Sequence, residues 1–297
     1  MRPLRALGIY IGVVFLGGAL LAPWLYWLAQ TTADIFLSLA HQPFHRFVNR
    51  ALLILALACL WPLLRALGAT SLREIGLAAP AAHWRTLLRG FLLGFASLAL
   101  VAATTLVAGG RIFNQHSDPM RLAKTILGAA LSAAVVAVLE EMLFRGGVFG
   151  ALRRVFHWSI ALVVSSMIYA IVHFLESAKH DGAVTWMSGL ELLPRMLHGF
   201  TNWEQIVPGF FNLTLAGALL ALAYQHTGNL YFSIGLHAGW IFWLKSYRAL
   251  TADVSGANAW FWGTGKMIDG WLAFMILSLM LLAFTRLPVK RETDSVT

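Results

Sequence analysis

Eight separate stretches of this chain run for about twenty residues with few or no charges, and that pattern limits what it can fold into more than any other. They lie near 6–29, 49–68, 87–108, 124–150, 158–175, 206–225, 229–247 and 268–286. A hydrocarbon layer roughly 30 Å thick takes about 20 apolar residues of helix to cross. Within it, every backbone N–H and C=O must be satisfied internally, so only helices and closed barrels span it. These runs are too long and too continuous for barrel strands. The expected fold is all-α: a polytopic transmembrane helical bundle of about eight membrane-spanning helices. Composition agrees, since 59% of the 297 residues are hydrophobic and 12% are charged. A soluble domain carries about 25% charged residues.

The net charge of +9 comes from 22 Lys and Arg against 13 Asp and Glu. No basic run or stripe gathers these charges as nucleic-acid binding would require. They sit at the ends of the apolar stretches, where membrane proteins carry them. Arg2 and Arg5 precede the first stretch like the start of a signal peptide, but the apolar run that follows exceeds a signal's. It is read as a retained first span, with both termini in the cytoplasm. The expected organisation is a single integral membrane domain over 1–297 with a polar tail at 288–297. The single cysteine, Cys59, can form no internal disulfide and reads as a small buried apolar residue. The connection 176–205 contains "MSGLELLPRML", whose helical spacing suits a helix lying along the membrane interface. The segment "ANAWFWGTGKMIDGW", 257–271, reads as an interfacial aromatic anchor.

One apolar stretch breaks its own rule. "AVLEEMLFRGGVFG", 137–150, places Glu140, Glu141 and Arg145 inside the fourth span. Each charge at a helix centre costs roughly 2.5–3.5 kcal/mol on insertion scales. Glu141 and Arg145 are four residues apart, on one helix face, and can pair. Ala129, Ala133 and Ala137 lead along that face to Glu141, and small residues so spaced let another helix approach closely. The carboxylates should therefore point into the bundle. A structural Glu–Arg clasp would explain Glu141 and Arg145 but not Glu140.

Two further spans each carry one histidine: His173 late in the fifth, His237 in the seventh. Ionisable groups inside a membrane gather at functional sites because they are costly elsewhere. A carboxylate beside an imidazole can hold and deprotonate a water, and a second imidazole can steady the oxyanion formed when that water attacks a carbonyl. Glu140, His173 and His237 could instead hold Zn²⁺ with an open fourth position. Both routes give amide hydrolysis. The soluble-hydrolase signatures HExxH and GxSxG are absent from the sequence.

These motifs together resemble the CAAX protease and bacteriocin-processing family of intramembrane endopeptidases, which are of eight-helix type. The residues that carry the resemblance are Glu140-Glu141-x-x-x-Arg145-Gly146, then Tyr169-x-x-x-His173, then "GLHAGW" around His237. "LREIGL", 72–77, and "HTGNLYFSIGLH", 226–237, are similar to segments that accompany that core, which spans about 70–250. The resemblance implies that Glu140 activates water and that His173 helps hold the water or a metal. It implies that His237 stabilises the oxyanion and that Glu141 with Arg145 is the supporting pair. The implied substrate is a membrane-embedded or lipidated peptide, the partners are that peptide and membrane lipids, and the location is the inner (plasma) membrane of a bacterium. The chain departs from the family pattern twice. Tyr169 stands where Phe is usual, and Ile241 stands where the last motif has Asn or Asp. Asn212 in the sixth span, or the Trp240 indole, are the candidates to replace that polar group.

Two other readings compete. A non-catalytic scaffold or bacteriocin-immunity protein of the same fold is favoured by Ile241. A transporter with a Glu/His proton relay is disfavoured, because no matched pair of Gly/Pro-broken helices appears in the two halves.

Overall fold

The computed structural model describes residues 2–35, 37–77, 80–114, 118–175, 178–180, 182–201 and 203–286. The tail expected at 288–297 lies outside the described residues, as do His116 and Asp181. Every apolar stretch is helical. In chain order the helices are α1 (Arg2–Thr31), α2 (Phe44–Ala66), α3 (Pro80–Val107), α4 (Pro119–Arg153), α5 (Trp158–His173), α6 (Ser188–Arg195), α7 (Trp203–Thr227), α8 (Tyr231–Leu250) and α9 (Trp271–Thr285). Among the described residues, five helices are long and apolar enough to cross a membrane: α1, α2, α3, α4 and α7. Of the other three expected spans, α5 and α9 are apolar but have only 16 and 15 residues. The third, α8, has 20 residues but carries Lys245 and Arg248 near its end.

Two compact units divide the chain: 1–68 with 172–203, and 69–171 with 204–297. In the first, α1, α2 and α6 share a core of Ala22, Ala29, Phe44, Phe47, Val48, Ala51 and Leu192. The amphipathic helix read from "MSGLELLPRML" is α6. Gly189 lets it lie directly on α1, for a Cβ there would come within 1.9 Å of the Ala19 carbonyl oxygen. On α1, Tyr10 donates its hydroxyl hydrogen to the Ala56 carbonyl of α2 at 2.8 Å. Cys59 is half-buried rather than fully buried.

The second unit is organised around α8. Gly90 and Gly94 of α3 face Gly235 and Gly239 of α8, two small-xxx-small pairs meeting each other. A Cβ on Gly94 would lie 2.1 Å from the Leu236 carbonyl oxygen, and one on Gly235 would lie 2.0 Å from that of Leu87. No side chain larger than hydrogen fits, so the two backbones touch. In a membrane, this close van der Waals contact replaces the missing hydrophobic drive between helices. On the other side α8 packs against α4. There the expected stripe is buried: Ala129, Ala133 and Ala137, ending at Glu141. Gly217 of α7 meets α5 the same way, a Cβ there coming within 2.9 Å of Ser166 Cα.

The loops of this unit are tied down. Arg111–Phe113 (β1) and Thr251–Asp253 (β2) pair antiparallel, a small sheet that an all-helical reading did not contain. Arg111, buried, donates to Thr251 Oγ1 at 2.8 Å and pairs with Asp253, while its guanidinium lies over the Tyr247 ring. The carboxylate is what lets an arginine be buried at the end of α8. "LREIGL" packs on the turn before α8. Leu230 N–H donates to the Gly76 carbonyl at 3.0 Å, and Gly76 (φ +82°) approaches Asn229 so closely that a Cβ would clash at 2.7 Å. Glu74 accepts from the Thr70 hydroxyl and N–H, and these bonds hold its carboxyl below its ordinary range.

Candidate active site

The fourth helix changes geometry where its charges stand. It is α-helical from Pro119 to Glu141 and then becomes a π-helix from Met142 to Phe149. Insertions of this kind are rare and favour functional sites, because the wider turn re-aims side chains. Arg145, Gly146 and Gly147 lie in the widened segment, all buried.

Three helices of the second unit place polar side chains at this point. Arg145 Nη1 donates to Glu141 Oε1 at 3.0 Å, the pair expected from the i,i+4 spacing. Arg145 Nη2 donates to the Gly217 carbonyl of α7 at 3.2 Å. Both side chains are almost wholly buried, Arg145 at 2% exposure and Glu141 at 0%. A buried pair of this kind has its cost offset only when further hydrogen bonds satisfy it. The Gly217 carbonyl supplies one, and the histidine of α8 supplies another. His237 Nδ1 lies 2.9 Å from Glu141 Oε1. The carboxylate is the acceptor, so Nδ1 carries the proton. His237 Nε2 lies 3.2 Å from the Tyr169 hydroxyl of α5 and 3.8 Å from Glu140 Oε2. The Tyr169 ring is held between the Arg145 guanidinium, 5.0 Å from its centroid, and the Phe144 ring at 4.9 Å.

Glu140 differs from Glu141 although the two are adjacent. Its side chain is 28% exposed where Glu141 is sealed. Glu141 holds Arg145 and His237, while the partly exposed side chain of Glu140 turns its buried Oε2 toward His237 Nε2. At 3.8 Å those two atoms are too far apart for a direct hydrogen bond, but close enough for one small molecule to bridge.

Glu140, Glu141, Arg145 and His237 are therefore brought together within one unit. His173 is the last residue of α5, exposed, and falls in the first unit. The two candidates for the missing polar group are both engaged elsewhere. Asn212, fully buried, donates to the carbonyls of Ile268 and Gly270 at 2.8 and 2.9 Å. It pins the aromatic segment 257–271 instead of serving the site. The Trp240 indole N–H donates to Ser97 Oγ at 2.9 Å. Ile241 is buried and apolar. A zinc site needs three or four donors. Among the described residues no group of three His, Cys, Asp or Glu is placed to hold a metal ion, and both nitrogens of His237 face protein partners. Among the described residues, Glu140, His173 and His237 are not gathered as a group of three donors.

Sequence reasoning missed the Tyr169 hydroxyl, which it treated only as an aromatic variant, and the Gly217 carbonyl. A tyrosine four residues before an intramembrane histidine is a signal that could have found the first. Nothing in the sequence marks a backbone carbonyl.

Residues 122–243 match the family model of the Rce1-like type II CAAX prenyl endopeptidases. No curated protein and no solved structure matches the chain significantly. The matched segment runs from the first turns of α4 to the middle of α8, and so contains Glu140, Glu141, Arg145, Tyr169, His173 and His237. The resemblance read from the motifs is borne out. The family match supports a CAAX-type intramembrane protease acting on membrane-associated peptides, and with the apolar helices it makes this an integral membrane protein.

Proposed function

We propose that the chain is an intramembrane endopeptidase in which Glu140 activates the attacking water. The observation that carries this reading is the relay from Arg145 through Glu141 to His237, which fixes the imidazole so that Nε2 faces Glu140 at 3.8 Å. A base and an oriented imidazole close enough for one water to hydrogen-bond both are what water-mediated acyl transfer needs. In the first step Glu140 takes a proton from water as the water oxygen attacks the scissile carbonyl carbon. The carbonyl π pair moves onto oxygen. In the second, that pair re-forms C=O, the C–N bond breaks, and the proton on Glu140 passes to the leaving nitrogen. Site charge is unchanged: the negative charge leaves Glu140 and appears on the oxyanion, while Glu141 and Arg145 stay paired. The resemblance assigns His237 to stabilising the oxyanion. A ring that donates from Nδ1 to Glu141 donates from Nε2 only when doubly protonated.

The substrate is a membrane-embedded or lipidated peptide, because the base sits within a membrane-spanning helix. The protein belongs to the inner membrane of a bacterium, with both termini in the cytoplasm. The test compares membrane peptides by mass spectrometry in cells expressing wild type, Glu140→Gln and Glu140→Ala at equal levels, with metal content measured on the purified proteins. Peptides cut in wild type and intact in both variants are expected, with no metal that depends on Glu140. Identical peptides in all three would leave the scaffold reading in its place, and zinc lost with Glu140→Ala would make Glu140 a ligand.

A further inference from the structure

We propose that Tyr169 is a catalytic residue of this chain, whose hydroxyl donates a hydrogen bond to the oxyanion. This rests on the reading of Glu140 as the base. Three observations carry it. The first is position: the hydroxyl lies 3.2 Å from His237 Nε2, the same nitrogen that faces Glu140 Oε2 at 3.8 Å, so a carbonyl oxygen that approaches this nitrogen also meets the hydroxyl. The second is chemistry. His237 donates its Nδ1–H to Glu141, so a neutral ring presents only a lone pair at Nε2. The Tyr169 O–H is a donor whatever the state of the ring. The third is what surrounds it. Ile241, one turn beyond His237 on α8, offers no polar atom, and the Asn212 amide and Trp240 indole are engaged elsewhere.

The ring is also held ready. It is 3% exposed, with the Arg145 guanidinium over its face and the Phe144 edge against it. With the ring fixed before the reaction, only the hydroxyl hydrogen turns as charge develops, which keeps reorganisation small. No covalent bond to Tyr169 forms. Its hydroxyl turns from Nε2 to the oxyanion as the water attacks, and turns back when C=O re-forms and the C–N bond breaks.

Four forms of the full-length protein test this in cells of one strain: wild type, Glu140→Gln, Tyr169→Phe, and Tyr169→Phe with Ile241→Asn. The readout is the set of membrane peptides that wild type cuts, and then kcat and KM on a quenched peptide of the sequence so found, in lipid vesicles. Melting temperature is measured alongside. Tyr169→Phe is expected to lower kcat about 10²-fold with KM and melting temperature nearly unchanged. The added Ile241→Asn change should recover a substantial part of the loss, because it supplies a donor one helical turn from His237. A purely structural tyrosine would lower the melting temperature and gain nothing from Ile241→Asn. Wild-type kcat in Tyr169→Phe with Glu140→Gln inactive overturns this proposal alone, as does a lowered melting temperature without rescue. Unchanged peptides with Glu140→Gln overturn the base assignment and this proposal with it.

Discussion

Adjacent carboxylates in a membrane helix raise the question of which does what, and burial answers it. Glu141 is sealed and holds both Arg145 and His237 through one oxygen, Oε1, while its Oε2 is buried without a hydrogen-bond partner among the described residues. An acceptor left unsatisfied costs about 1–3 kcal/mol, and the ionic pair and the imidazole bond must outweigh it. Removing one charge leaves the other exposed to the low dielectric. Arg145→Met and Glu141→Gln are each expected to lower stability by about 3–5 kcal/mol, read as reversible unfolding in detergent. The double variant should be more stable than either single one, because it buries no lone charge, and should remain inactive, because His237 is no longer held. A double variant no more stable than the singles would show that the pair does not act as a unit.

At the scale of elements, precision comes from what is missing. His237 sits between Gly235 and Gly239, so the helix that carries it is seated on α3 by backbone contact. Gly94→Ala and Gly235→Ala would each force the helices apart, since the new Cβ meets backbone carbonyls at 2.1 and 2.0 Å. Both are expected to lower the melting temperature and to reduce cleavage at least tenfold, because the His237 ring shifts with its helix. Gly128→Ala on α4, where nothing lies within 4 Å of the new Cβ, is the control. It should be neutral or stabilise by about 0.5–1 kcal/mol, the ordinary helical gain of alanine over glycine. Equal effects at all three positions would mean that the α3–α8 contact is not what holds the site. The π segment after Glu141 acts at the same scale, since it turns Arg145 toward the Gly217 carbonyl while keeping its reach to Glu141.

For the molecule as a whole, the test is which end of α8 faces which side. The turn at Gly228 precedes α8, and the β1–β2 sheet follows it, so the two mark opposite ends of one helix. The proposed orientation, with both termini cytoplasmic and all eight expected spans crossing, puts Gly228 on the cytoplasmic side and Ile112 on the other. In a Cys59→Ala background, Ile112→Cys should react with a membrane-impermeant thiol reagent in intact cells. Gly228→Cys should react only after the membrane is opened. The opposite labelling pattern would reverse the orientation derived from Arg2 and Arg5.

The sequence alone determined that the apolar runs are helical, because a hydrocarbon layer admits little else, while the structure makes five of those helices long and apolar enough to cross. It also determined the Glu141–Arg145 pair, because four residues is one helical turn. Glu140 and His237 stood out in it because a charge in lipid needs a reason. It did not determine that His237 turns its Nδ1 to Glu141 and its Nε2 toward Tyr169 and Glu140, nor that Asn212 serves a loop instead of the site. The glycine pairs were visible in "GFLLG" and "GLHAG", but not which pair met which. Those facts depend on how helices far apart in sequence are rotated and spaced against one another. Local periodicity does not encode that rotation; only the packing of side chains and backbone across the helix contacts decides it.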